Sequence, residues 1–163
     1  MTRSTHAINH VRVETTKAFA EGAKDFERQL GKYDPAVFQA FRAAQPRAED
    51  ARARIEAMSG PSGFALFGTI DHGWLVSLFG ATKQQAIQYA VGNPLIAIEM
   101  TQHNLGAGLS APLRVLIYEA EGKTRLEYDR PSSVLDQFTD DRIGAVATML
   151  DRKLEALIAK AVG

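Results

Sequence analysis

The stretch Gly63-Phe64-Ala65-Leu66-Phe67-Gly68-Thr69-Ile70-Asp71-His72 decides how this chain is read. It is a short apolar run between Gly-containing breaks, which reads as a strand, and it ends in an acid beside an imidazole. A buried strand that delivers two titratable groups to its end is a common way to build a site. The first expectation is therefore a central strand here, with the other elements layered over it.

Working outward toward the N-terminus, Ser59-Gly60-Pro61-Ser62-Gly63 is a loop by composition. Two helices precede it. Asp34 supplies a capping carboxylate and Pro35 a first helical residue, with Val37, Phe38 and Phe41 on one face. Gln45-Pro46 breaks that helix, and Ala48, Ala51, Ile55 and Met58 line the next. Residues 34–58 thus look like a helical insertion between strands, serving as cover or as a dimerisation element. Before them, His6–Glu14 reads as a strand carrying Ile8, Val11 and Val13. Thr15 or Thr16 would cap a helix with Phe19, Ala23, Phe26 and Leu30 at helical spacing, stopped by Gly31.

On the C-terminal side, Trp74–Gly80 is apolar on all sides, so helix and strand cannot be separated by period. Thr82 would cap a helix from Lys83, while Ala86–Val91 is equally compatible with a strand. Asn93 before Pro94 is pushed out of the α region, and Pro94 opens a helix whose buried side is Leu95, Ile98 and Met100. Leu105–Gly108 is expected to be flexible. Leu113–Tyr118 and Thr124–Tyr128 read as strands joined by a hairpin turn at Glu121-Gly122. Thr139 or Asp140 caps the clearest helix, 139–162, with Ile143, Val146, Ala147, Leu150, Leu154, Leu157 and Ile158 in one stripe.

The length of 163 residues suggests one α+β domain, 1–163, able to bury a core of its own. Nineteen basic residues balance nineteen acidic ones, which argues against nucleic acid as a partner and leaves self-association electrostatically unopposed. There is no cysteine, so disulfide, thiol nucleophile and thiolate metal site are ruled out. No apolar run approaches a membrane span, and Met1–His10 lacks the apolar core of a secretory signal; the expected location is the cytoplasm.

Asp71 and His72 are the candidate acid–base pair, because a carboxylate can orient an imidazole and raise its pKa. They pair only if the strand ends between them; otherwise Asp71 is a helix cap. Asn93 stands at a helix N-terminus, where backbone N–H groups attract anions. Arg114 opens an apolar strand and needs a carboxylate, a carbonyl or a ligand anion; Asp71, Glu99 and Glu127 are the candidate structural partners. Glu99 and His103 share a helix face, but no third ligand completes a metal site, so no metal is expected. Without a phosphate loop, a dinucleotide fingerprint or a Gly-x-Ser-x-Gly elbow, no cofactor is expected either.

The order Ile70-Asp71-His72, Gly92-Asn93-Pro94, Pro112-Leu113-Arg114 and then Tyr128 and Pro131 resembles the domain-of-unknown-function 302 family. The resemblance covers Thr5 to Leu135 with a break over 34–58. It implies an often dimeric small α+β domain with a TATA-binding-protein-like layout: a curved, mainly antiparallel sheet, here about four to five strands, with helices on one face. It supplies no reaction. The run Ser110-Ala111-Pro112-Leu113-Arg114 lacks the acid usual in that motif, and Ala90-Val91 replaces the usual aromatic. The 34–58 segment and the C-terminal helix look like additions.

The resulting expectation is a pocket where Asp71, His72, Asn93 and Arg114 converge beside the sheet, walled by Trp74 or Tyr128, to hold a small polar or anionic molecule. The alternatives are a His72-dependent acid–base enzyme with Arg114 stabilising an anion, and a dimerisation module whose working face is Phe38, Phe41 and the C-terminal helix.

Overall fold

The computed structural model describes residues 3–80 and 82–163. Its six strands are β1 (His10–Thr15), β2 (Gly31–Lys32), β3 (Ala65–Asp71), β4 (Ala86–Gly92), β5 (Leu113–Ala120) and β6 (Lys123–Asp129). They form one sheet in the order β1-β6-β5-β4-β3-β2, antiparallel except for the parallel β2–β3 pair. The helices are α1 (Phe19–Glu27), α2 (Pro35–Ala44), α3 (Ala48–Glu56), α4 (His72–Leu78), α5 (Pro94–Thr101), α6 (Pro131–Leu135) and α7 (Asp141–Val162). The expected α+β architecture is present with one strand more than foreseen. That strand, β2, is only two residues long, too short to leave a pattern in the sequence.

Alternation along the strands gives the sheet two unlike faces. Tyr89, Val91, Val115, Ile117, Leu126 and Tyr128 point inward and are buried. Helices α1 and α7 lie over them, and α7 meets them with Ile143, Ala147, Leu150, Leu154, Leu157 and Ile158, the stripe expected from the sequence. Asp140 caps α7 by accepting from the Arg142 N–H at 2.9 Å. Tyr89 is fully buried, donates to Glu27 Oε1 at 2.8 Å, and packs on Phe26 with ring centroids 5.1 Å apart. Burial, reinforced by Glu27, pushes the Tyr89 phenol pKa up.

Strand β3 is not the covered centre that its composition suggests. It lies one from the edge, and its burial is confined to its start. A bulge between Leu66 and Gly68 shifts the register, and Gly68 through His72 are exposed. The sheet centre is β4 and β5, whose alternation places every second side chain under the helices.

Several local expectations are corrected as well. Residues 72–78 are helical, and 82–85 carry no helix, so Thr82 caps nothing. The Thr15 and Thr16 side chains do not cap α1, whose N-cap is Ala18; Thr15 Oγ1 instead accepts from the Lys17 N–H at 3.2 Å. Leu105–Ser110 winds into a 3-10 turn, with Asn104 accepting from the Gly106 N–H. Gly31 does more than end a helix. The N–H groups of Gly31 and Gly60 both donate to Phe64 O at 2.9 Å, and a Cβ on Gly31 would lie 2.0 Å from Met58 O. The α3–β3 connection can cross so close only because that side chain is missing.

Helix α2 starts at Pro35, with Asp34 accepting from the Ala36 N–H at 2.9 Å as expected. It has no buried residue. Its aromatic face instead extends a stack: Phe41 on Phe38, Phe38 on Tyr33, and Tyr33 on Phe67 at 4.1 Å between centroids. Helix α3 is anchored by Ile55 and the following Met58, both buried.

Candidate functional site

The six residues singled out from the sequence do not meet in one hollow. Asp71 is opposite Ile87 at the start of β4, and Asn93 follows the end of that strand. From Ile87 to Asn93 the chain advances six residues, which is about 20 Å at roughly 3.3 Å per residue. Asp71 accepts from the Trp74 N–H at 2.8 Å and so caps α4, which leaves its carboxylate engaged by backbone rather than by the neighbouring imidazole. His72 is exposed at the first turn of α4. Asn93 is a structural tie. It caps α5 through the Leu95 N–H at 2.9 Å and donates to Ser59 Oγ and Gly63 O. Tyr128 is 4% exposed beneath the helices, on the face opposite Arg114. Trp74 is 59% exposed and shares a recess of about 420 Å³ with Asp71, Phe19 and Lys83. Gly73 fixes α4 there, since a Cβ on it would lie 2.5 Å from Gln84 O.

Arg114 alone occupies a position of the expected kind. Its inward neighbour Val115 is fully buried, so its own side chain projects from the open face of the sheet, across from Ala90. Asp71, Glu99 and Glu127, the partners proposed from sequence, do not bond it, and among the described residues it makes no ion pair. It borders a hollow of about 640 Å³ on the open face, floored by Gly68 and Ala90, walled by Phe67, Ile70 and Leu109, with Gln88 beside it. On its other side is a smaller recess of about 250 Å³ that contains Asp129.

The other half of the open face is closed by ion pairs. Glu127, its side chain 13% exposed, accepts from Tyr118 Oη at 2.6 Å and from Arg12 Nε, and lies 3.0 Å from His10 Nε2. Burial pushes the Glu127 carboxyl upward, but the hydrogen bonds of Tyr118, Arg12 and His10 outweigh it and hold the pKa at about 2. His10 Nδ1 lies 2.9 Å from Asp129 Oδ1, and the Asp129 and Glu127 hydrogen bonds raise the imidazole pKa above its usual value. Arg125 joins Glu14 and Glu121, and Lys123 also reaches Glu14. This network ties the edge strand β1 to β6 and gives Glu14, Glu121, Glu127 and Asp129 each a basic partner.

Sequence reasoning missed the hollow's floor and walls and the Glu127 network. A signal existed for part of it: Gln88 and Ala90 on β4, and Arg114 and Leu116 on β5, alternate with core residues and so had to share the outer face. The pairing register that joins them is not encoded locally. Of the dimer face expected from Phe38, Phe41 and the C-terminal helix, the α7 stripe is buried against the sheet, whereas Phe38 stacks on Tyr33 and meets Phe41 edge-on, both Phe rings half-buried.

Residues 40–161 match the family model described as Domain of unknown function DUF302. The matched range runs from within α2 to near the end of α7. No curated protein matches the sequence. The fold is similar to that in the crystal structure of the uncharacterized conserved protein DUF302 from Bacillus stearothermophilus, with a TM-score of 0.66, 15% identity, and coverage of 93% of this chain and 97% of that one. Among the described residues no helix is long and apolar enough to cross a membrane.

Proposed function

The chain belongs to the DUF302 family, and we propose that it is a cytoplasmic binding domain for a small anionic molecule, held on the open face of its sheet. One observation carries this reading: Arg114 is a guanidinium without a carboxylate partner among the described residues, at the rim of a hollow on the open face of the sheet. The other cations of that face, Arg12, Arg125 and Lys123, are already neutralised. A guanidinium is suited to a planar anion, and small-molecule sites combine apolar walls with a few placed polar groups. A thermal-shift screen of organic acids and phosphates tests the proposal. At least one class should raise the melting temperature of the wild type, and Arg114→Ala should abolish the rise. A ligand whose effect survives in Arg114→Ala would place binding elsewhere.

A second reading, association of two copies, is favoured by α4. Trp74, Leu75, Val76 and Leu78 are 40–59% exposed, and the adjoining Phe79 is 87% exposed. Contiguous apolar exposure of this kind marks contact surfaces, and the zero net charge does not oppose self-association. Sedimentation should give a dimer that Phe79→Asp converts to monomer. A wild-type monomer at all concentrations rejects it.

A further inference from the structure

We infer that the ligand of the Arg114 hollow is a monocarboxylate with an apolar body, such as a medium-chain or aryl-substituted acid. This rests on the binding-domain reading above and names the class of molecule. The argument begins with charge. The hollow is bordered by one ionised group, Arg114, and by no Lys, His, Asp or Glu. A phosphate monoester carries about −1.5 to −2 charges at neutral pH and would be left under-neutralised by a single guanidinium, whereas a carboxylate is matched one to one.

Geometry points the same way. A guanidinium presents two parallel N–H donors that fit the two oxygens of a carboxylate. Gln88 is the diagonal neighbour of Arg114 across the β4–β5 pair, because Ala90 faces Arg114 and Gln88 faces Leu116. Diagonal neighbours are roughly 7–8 Å apart at Cα, within reach of long side chains, so the amide can orient the same head group. The recess on the other side of Arg114 contains Asp129 and repels an anion, which directs the ligand into the larger hollow.

The rest of the surface is apolar. Ile70 is 50% exposed and Leu109 94% exposed, and Phe67 closes one wall. Such side chains, left in water, gain most from an aliphatic or aromatic body. The volume of about 640 Å³ falls within the roughly 300–1,000 Å³ typical of small-molecule sites. The floor is bare at Gly68, where a side chain would meet nothing within 4 Å. An added Cβ at position 68 has open space around it, so a larger side chain introduced there projects over the floor of the hollow.

The experiment uses the full chain and matched probes: octanoate, octanamide and octyl phosphate, titrated by calorimetry and by amide chemical shifts. Octanoate should bind saturably, with shifts centred on Gly68, Gln88 and Arg114, and octanamide at least tenfold more weakly. Arg114→Gln and Gly68→Ile should each weaken octanoate at least tenfold while keeping the wild-type melting temperature. Tighter binding of octyl phosphate than of octanoate, lost in Arg114→Gln, would overturn the carboxylate assignment and leave the anion site intact. No response to either anion would remove both. Equal binding of octanamide and octanoate would show that the charge plays no part and overturn the inference.

Discussion

The two faces of the sheet are made from the same strands and obey opposite rules. The inner face is a continuous apolar layer under α1 and α7, in which Tyr89, Val115, Ile117 and Leu126 are fully buried. The outer face lies away from α1 and α7 and is divided at Leu116, which lies opposite Glu127 on one side and Gln88 on the other. Toward β1, His10, Arg12, Glu14, Arg125 and Glu127 are paired; toward β3 there is a hollow beside Arg114, which has no ion-pair partner among the described residues. The fold is therefore specified by the inner face, the edge strand is secured by the charged half, and only the remaining quarter is left for a ligand.

This contrast breaks if a large truncation on the inner face is cheap. Leu154 is fully buried in the α7 stripe. Leu154→Ala should cost about 2–5 kcal/mol, the usual range for losing a buried Leu side chain and leaving a cavity, as measured by chemical denaturation. A cost near zero would mean that α7 is not part of the core.

The inner face was legible because it is periodic. The α7 stripe and the β5–β6 hairpin follow from spacing alone, Asp34 caps the helix that the sequence assigns it, and of the two candidates Thr139 and Asp140 it is Asp140 that caps α7. The site was less legible because it depends on register and on face. Nothing local says that β4 separates Asp71 from Asn93, or that Tyr128 points away from Arg114. The opening strand was misjudged for a related reason: apolar composition implied burial, but the bulge after Leu66 turns the second half of β3 to solvent.

The charged half should give a smaller effect than the core. Glu127→Ala deprives Tyr118 and Arg12 of their acceptor and should cost roughly 1–3 kcal/mol. The pH dependence sharpens the assignment. Because the folded Glu127 pKa is depressed from 4.5 to about 2, its contribution is complete above about 4.5 and is lost as pH falls toward 2. Melting temperatures between pH 2 and 5 should therefore fall less steeply in Glu127→Gln than in the wild type. Identical slopes would mean the network is not formed.

His10 should give a weaker effect of opposite sign. Its pKa is raised in the folded state by Asp129 and Glu127, so its contribution is complete below about 6.5 and is lost as pH rises through the raised value. The ring is half-exposed and solvent screens the pairs, so the change should be a few tenths of a kcal/mol. His10→Asn should flatten the melting temperature between pH 6 and 8, read by calorimetry. A wild type that gains stability over that range would contradict the pairing.

The smallest stability effect is expected at Arg114, and that is what separates it from the other cations of the face. A guanidinium that serves the fold bonds a carboxylate or a carbonyl, and removing it leaves that acceptor unsatisfied. Arg114 has no such partner among the described residues, and the nearest acid across β6, Asp129, is engaged by His10. Arg114→Ala should therefore change stability by no more than about 0.5 kcal/mol, as for a surface position without specific bonds. Arg12→Ala and Arg125→Ala should each lower the melting temperature measurably, because each removes one of the partners of Glu127 or Glu14. A loss at Arg114 as large as at Arg12 would assign it to the fold and leave the hollow without its charge. A neutral Arg114→Ala leaves a side chain that folding does not use, exposed beside the hollow, where its guanidinium is available to an anion.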